Sequence, residues 1–531
     1  MMTRRRKWSI WTAGILLAVL AVAASQASRL TPLVRDRVVE ALNARFDSQV
    51  ELDALQVSAF PRPAISGSGL VLRHDGRTDV PPLLAIPSFS ASAGLWGLYN
   101  RPLHLTAVEL EGLDIRIPPG GMNAGVPDDP SERYIGMEPP PLRVVPAPPR
   151  QSVLTIDVIR SVRSTLEIVP RDPSKLPRIF EIHNLEMRNF SDAAASPFRA
   201  SLTNPKPAGR IDTEGTFGPW RTDDPRLTPI AGDFLFGNAD LNTIKGIGGT
   251  LSAGGSFGGV LERISVSGHT ETPDFVIDIA GQPVPLTTTF EAVVDGTNGN
   301  TWLERVEATL QQTTIVARGA VVRAREIKGR HIVVDVRIDN GRLEDIMKLA
   351  VKAAKPPVTG AIALTTRMVI PAGDQRVIEK IELDGAFELA QARFTNLDVQ
   401  KRINALSSRA QGDTGGDGES EGESVVSNLR GRFVMRGAAI RFSNLTFAIP
   451  GAQVELAGSY DLQSEVINFA GQLLLDATLA EMTTGIKSVG ARIVQPFFRR
   501  PGGGSRLPIK ITGTRSKPAF GLDVRRAFLP G

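Results

Sequence analysis

The 531-residue chain contains no cysteine, which excludes disulfides, thiolate metal sites and a cysteine nucleophile. Histidine is nearly as scarce. His74, His104, His183, His269 and His331 stand far apart, and no HxH or HxxxH pair is present to hold a metal. They lie mostly in or beside strand-like runs and are expected on solvent faces. Aromatic residues make up only 6%, so aliphatic and small side chains must form whatever apolar surface exists. Excess charge is also missing. The formal net charge is +5, and Arg4, Arg5, Arg6 and Lys7 supply four of those charges. The remainder is close to neutral and offers no basic stripe, so no nucleic-acid partner is expected.

Catalytic motifs are nearly absent too. No Walker sequence is present, and the Gly246-Ile247-Gly248 start of a dinucleotide fingerprint lacks its final glycine, because Leu251 stands there. Gly254-Gly255-Ser256-Phe257-Gly258 satisfies GxSxG. A nucleophile elbow needs a helix after the serine, whereas the following VLERISVSG alternates like a strand. Ser256 is therefore read as a strand residue. No catalytic residue, cofactor or metal site is expected, and the chain is not read as an enzyme.

The N-terminus does carry a signal. Residues 8–28 hold no charge, and about 21 residues at 1.5 Å each give roughly 31 Å of helix, enough to span a bilayer core. Trp8 and Trp11 sit at its start, behind the Arg4–Lys7 cluster that favours a cytoplasmic N-terminus. The alternative is a cleaved signal peptide, since Ala21-Val22-Ala23 and Ser25-Gln26-Ala27 resemble small-residue cleavage sites. Both readings export the body. Residues 29–46 then repeat apolar positions at three and four residues, as an amphipathic helix does, either capping the body or touching the membrane surface.

After Gln49 the period becomes two. Ile467, Phe469, Leu473 and Leu475 fall on one side of a strand, and Asn468, Gln472 and Asp476 on the other, with Leu474 as the exception. Ile332, Val334, Val336 and Ile338 repeat the pattern, as do Leu154, Ile156 and Val158. This predicts antiparallel strands with one dry and one wet face. Asp295-Gly296, Asn298-Gly299, Asn340-Gly341 and Asp384-Gly385 read as turns between them. Residues 118–150 are proline-rich and predict an extended connection, while the acidic, glycine-rich 411–424 predicts a mobile loop. Helical pattern returns around 343–354. It returns again at 479–498, where Leu479, Met482, Ile486, Val489, Ile493 and Phe497 form one stripe. That stripe either plugs the end of the sheet or meets a membrane or partner.

Several phrases resemble the AsmA-like family of bacterial envelope proteins. VELDALQVSAFPRPAISGSGLVLRH (50–74) and VELEGLDIRIP (108–118) follow the anchor in the family's order. LDGAFELAQARFTN (383–396), GRFVMRGAAIRFSNLTFAIPGAQVELAGSYDL (431–462) and LPIKITGTRSKPAFGLDV (507–524) look like its C-terminal domain. The resemblance implies an inner-membrane anchor and a periplasmic body of the repeating β-groove type. It also implies a part in phospholipid traffic and outer-membrane homeostasis.

The expected organisation follows: anchor 1–28, helix plus β unit 29–117, connection 118–150, central body 151–410, loop 411–424 and C-terminal β unit 425–531. The expected fold is mainly β, an elongated, twisted antiparallel sheet forming an open apolar groove, with a few short helices. Ile467, Phe469, Leu473 and Leu475 are the candidate groove lining. The expected partners are membrane lipids through their acyl chains, the inner membrane, and an outer-membrane or envelope protein. Alternation alone leaves a closed sandwich open, and with it a structural or assembly role in outer-membrane biogenesis.

Overall fold

The computed structural model describes residues 48–58, 63–74, 84–94, 102–117, 154–169, 177–191, 193–221, 224–244, 246–277, 282–323, 329–350, 358–395, 427–476, 504–514 and 517–522, with isolated positions between them. The expected anchor, the 29–46 helix, the 411–424 loop and the 479–498 stripe lie outside the described residues. Among the described residues, no helix is long and apolar enough to cross a membrane.

The described chain is almost entirely strand. The first unit is β1 (Ser48–Ser58), β2 (Ala64–His74), β3 (Leu84–Ser92), β4 (Leu103–Glu111) and β5 (Asp114–Ile117). Next come β6 (Leu154–Ile168), β7 (Arg178–Ser191), β8 (Ser196–Pro205), β9 (Ala208–Phe217), β10 (Pro229–Asp240), β11 (Ile247–Gly248) and β12 (Thr250–Val260). They are followed by β13 (Arg263–Ile277), β14 (Val284–Val294), β15 (Thr301–Leu310), β16 (Thr313–Arg323) and β17 (Arg330–Arg342). Helix α1 (Leu343–Ala350) then precedes β18 (Val358–Ile370), and the one-turn α2 (Val377–Lys380) precedes β19 (Glu382–Phe394). The last six are β20 (Ser427–Arg436), β21 (Ala439–Ile449), β22 (Ala452–Asp461), β23 (Val466–Leu475), β24 (Ser505–Thr514) and β25 (Lys517–Leu522).

The sheet is a long meander in which consecutive strands pair with one another, as from β12 through β25. It is mixed rather than wholly antiparallel. Strand β6 runs parallel to both β4 and β5, which lie end to end along it. Parallel neighbours require a long connection, here between Ile117 and Leu154; the expected proline-rich connection within it, 118–150, lies almost wholly outside the described residues.

Two of the four expected turns are turns. Asp295 and Asn298 lie between β14 and β15, where the Asp295 carboxylate accepts from Thr297 and Asn298. Asn340-Gly341 instead sits within β17 at a bulge, between the Ile338 and Gly341 pairings. Asp384-Gly385 lies inside β19, and a Cβ on Gly385 would come within 2.9 Å of the Phe433 ring. There glycine makes room for the neighbouring strand's backbone at Thr365 as well as for that ring, not for a reversal of the chain.

Cores are local. Val50, Leu52, Leu55, Leu70 and Leu72 cluster in β1 and β2, and three smaller clusters lie farther along. A compact domain would show one contiguous core.

Candidate functional site

Strand registers sort the side chains of β8 to β24 onto two faces. One row runs without interruption across fifteen pairings: Ala200, Thr213, Phe234, Gly255, Gly268, Phe290, Val306, Ala317, Val336, Thr366, Gly385, Phe433, Phe442, Gly458, Phe469 and Ile511. The row contains no charged residue. A parallel row, from Phe198 through Val266, Val334 and Met435 to Ile467 and Gly513, also has none.

The middle of the reverse face is mostly polar, while toward one edge it carries a buried apolar cluster of Val293, Trp302, Ala320 and Val322. Arg199 meets Glu214 at 2.6 Å, Arg305 meets Glu307 at 3.0 Å and Arg337 meets Asp339 at 2.6 Å. Toward β6 and β7, the guanidiniums of Arg188 and Arg160 hold the Glu186 carboxyl below its ordinary value. Exposed, solvent-screened pairs of this kind add little to stability and chiefly keep this face wet.

Burial divides the apolar face. Every residue of the continuous row except Ala200 is only half-buried. A face packed against a second sheet would be closed along its whole length. At one long edge the same face is sealed, with Leu310, Thr313, Leu475 and Ser505 at 0% exposure. Helix α1 covers part of that edge, where Leu343 and Ile346 pack against the Ile362, Leu389 and Ala392 cluster. The helix is fixed by buried Asp345, whose carboxylate accepts from Thr313 Oγ1 at 2.9 Å and from the Gln312 amide at 3.2 Å. The long connections after β17, β19 and β23 all leave from this edge.

Glycine and phenylalanine shape the middle of the face. A Cβ on Gly255 would overlap the Ser267 carbonyl oxygen, and one on Gly232 that of Glu214, so the strands close in tightly on this side. The rings of Phe387, Phe433, Phe442 and Phe469 form a chain across four strands, with centroids 5.8–6.5 Å apart.

Ile467, Phe469, Leu473 and Leu475 all lie on this apolar face. The first three are half-buried, whereas Leu475 is a core residue packed with Ile449 and Ala452. Asn468 and Asp476 are exposed, and Gln472 donates to Glu455 across the polar side. Leu474 is buried on the opposite side from Leu475.

Phe387, Phe433 and Phe442 went unrecognised in the sequence. Bulges near Ser443 and Gln391 shift the alternation, so period two breaks within β21 and β19. Phenylalanines recurring near strand glycines were the available signal.

Ser256 stands mid-strand in β12 on the polar face, 3.3 Å from the Ser267 hydroxyl, with strand rather than helix following. His104 bonds Asp157 and His183 bonds Thr203, each at 2.7 Å. Among the described residues, no three His, Asp or Glu side chains converge as a metal site.

Comparisons of the chain with family models, curated proteins and solved structures find no match. The AsmA-like resemblance rests on the sequence phrases alone.

Proposed function

We propose that this chain binds or conducts lipid by laying acyl chains along the apolar face of β8 to β24. It would thereby serve phospholipid transport and outer-membrane homeostasis from the periplasmic side of the inner membrane, anchored through residues 8–28. The carrying observation is the uncharged row from Ala200 to Ile511, half-exposed along nearly its whole length. Each acyl CH₂ moved from water onto such a surface gains about 0.8 kcal/mol. The lining is Val, Ile, Phe, Ala and Gly with two threonines, Thr213 and Thr366, whose hydroxyls already donate to backbone carbonyls, so it holds tails without fixing their position. Half-exposure favours this reading over a closed sandwich, and with it over a purely structural role.

The test is mass spectrometry of lipid retained by the full-length protein after detergent exchange. Phospholipid should co-purify in more than stoichiometric amount. Substituting Asp at Val336 and Phe469, which places charge in the row, should strip it. Protein that purifies free of lipid, or retains it equally in the Asp variants, contradicts the proposal.

A further inference from the structure

The polar face carries a second feature that the lipid reading does not use. Strands β15 to β20 frame a depression of about 690 Å³ on that face. Its floor includes the short side chains of Thr365 and Ala386, and its walls carry five arginines against three acids, Glu304, Asp335 and Asp384. Two of the arginines are already engaged, since Arg305 pairs with Glu307 and Arg337 with Asp339.

The other three are not satisfied. Arg318 and Arg367 share the single carboxylate of Asp335 at 3.8 and 4.0 Å, beyond hydrogen-bond range. Among the described residues, Arg432 has no ion pair, and the two remaining acids of the lining, Glu304 and Asp384, form an ion pair with none of these three, although Asp384 stands opposite Arg367 on the next strand. Registers put Arg318, Asp335 and Arg367 abreast on β16, β17 and β18, with Thr365 and Ala386 abreast in the adjoining row that ends at Arg432. Guanidinium forks therefore face one volume from two sides, with a hydroxyl between them.

We propose that this depression binds a phosphate group, with Arg367 and Arg432 as principal donors and Arg318 and Thr365 as secondary ones. A planar guanidinium offers paired donors matched to phosphate oxygens, and a tetrahedral oxyanion can engage two forks at once. The volume exceeds that of a bare phosphate, leaving room for the molecule that carries it. The ligand is either free phosphate or the headgroup of an anionic phospholipid, and the site is separate from the acyl-chain face.

The test uses the full-length protein in two arms. Calorimetric titration with inorganic phosphate reads the free anion. Flotation with phosphatidylcholine vesicles, with or without phosphatidylglycerol, reads the headgroup. Arg432→Gln should weaken binding roughly tenfold, and Arg367→Gln with Arg432→Gln further, at unchanged melting temperature. If the Gln variants melt lower, Arg432→Lys decides: charge without the fork should still bind more weakly than wild type. Arginine-dependent binding in the phosphate arm assigns the free anion. The same dependence confined to phosphatidylglycerol vesicles assigns the headgroup. Absence of saturable binding in both arms, or binding that the variants leave intact, overturns the site.

Discussion

Phe469 and Leu475 sit on one strand and one face, six residues apart, yet one is half in water and the other fully enclosed. The contrast runs the length of the sheet. The edge rows, with Leu310, Thr313 and Ser505, are sealed, while the middle rows, from Phe234 to Ile511, stay half-open. Apolarity does not account for the difference, since the open middle holds the phenylalanines while the sealed edge includes the hydroxyls of Thr313 and Ser505. Covering does. Helix α1 lies over part of the edge, and no strand of the described chain lies over the middle. An apolar sheet face left uncovered is a cost to the isolated protein unless something else occupies it.

The sharpest way to break this contrast is to truncate within the sealed edge. Leu475→Ala and Leu310→Ala each leave a cavity among closed neighbours, and each should lower unfolding free energy by about 2–5 kcal/mol in urea denaturation. A loss below 1 kcal/mol would mean the edge is not sealed. Next in size is Asp345→Ala. It leaves the Thr313 hydroxyl and the Gln312 amide without their acceptor and should cost about 1–3 kcal/mol, read by thermal melting. Asp345→Asn retains an acceptor and should cost less.

A third expectation concerns the opposite edge. Burial pushes the Asp295 carboxyl above its ordinary value of 3.8, against the bonds from Thr297 and Asn298. A carboxyl raised in the folded state contributes stability that is full below its unfolded value and is lost as pH rises through the folded one. As pH rises from below the ordinary carboxylate value of 3.8 toward neutrality, Asp295→Asn should therefore gain in stability relative to wild type. A constant difference across that range would remove the effect. The smallest change is expected in the open middle. Val336→Ala removes methyl groups already half in water and should cost about 1 kcal/mol or less, measured without lipid. With lipid bound, the same variant should lose more.

The alternation itself was legible. Period two in β17 and β23 assigned Ile332 to Ile338 and Ile467 to Leu475 to their faces, because a strand buries every second residue. The parallel β4–β6 junction was not, since no local pattern records which strands meet after a crossover. The Asn340 and Asp384 dipeptides misread as turns because glycine serves bulges and close strand approach with the same letters. The sealing of Leu475 was also invisible. It depends on Ile449 and Ala452, which reach it only through strand pairing.

The central claim is that the middle of the apolar face holds lipid while the polar face does not. Photo-crosslinking residues placed at Phe433, Phe469 and Ile511, and at Asn468, Asp384 and Thr512 on the reverse face, test it directly in cells. Registers put the first three in one row and the last three in another. The account predicts lipid adducts at the first three positions and none at Asn468 and Thr512. A phosphate-bearing lipid in the arginine depression would add signal at Asp384 alone. Equal labelling of both rows, or no lipid adduct at Phe433, Phe469 and Ile511, would contradict it.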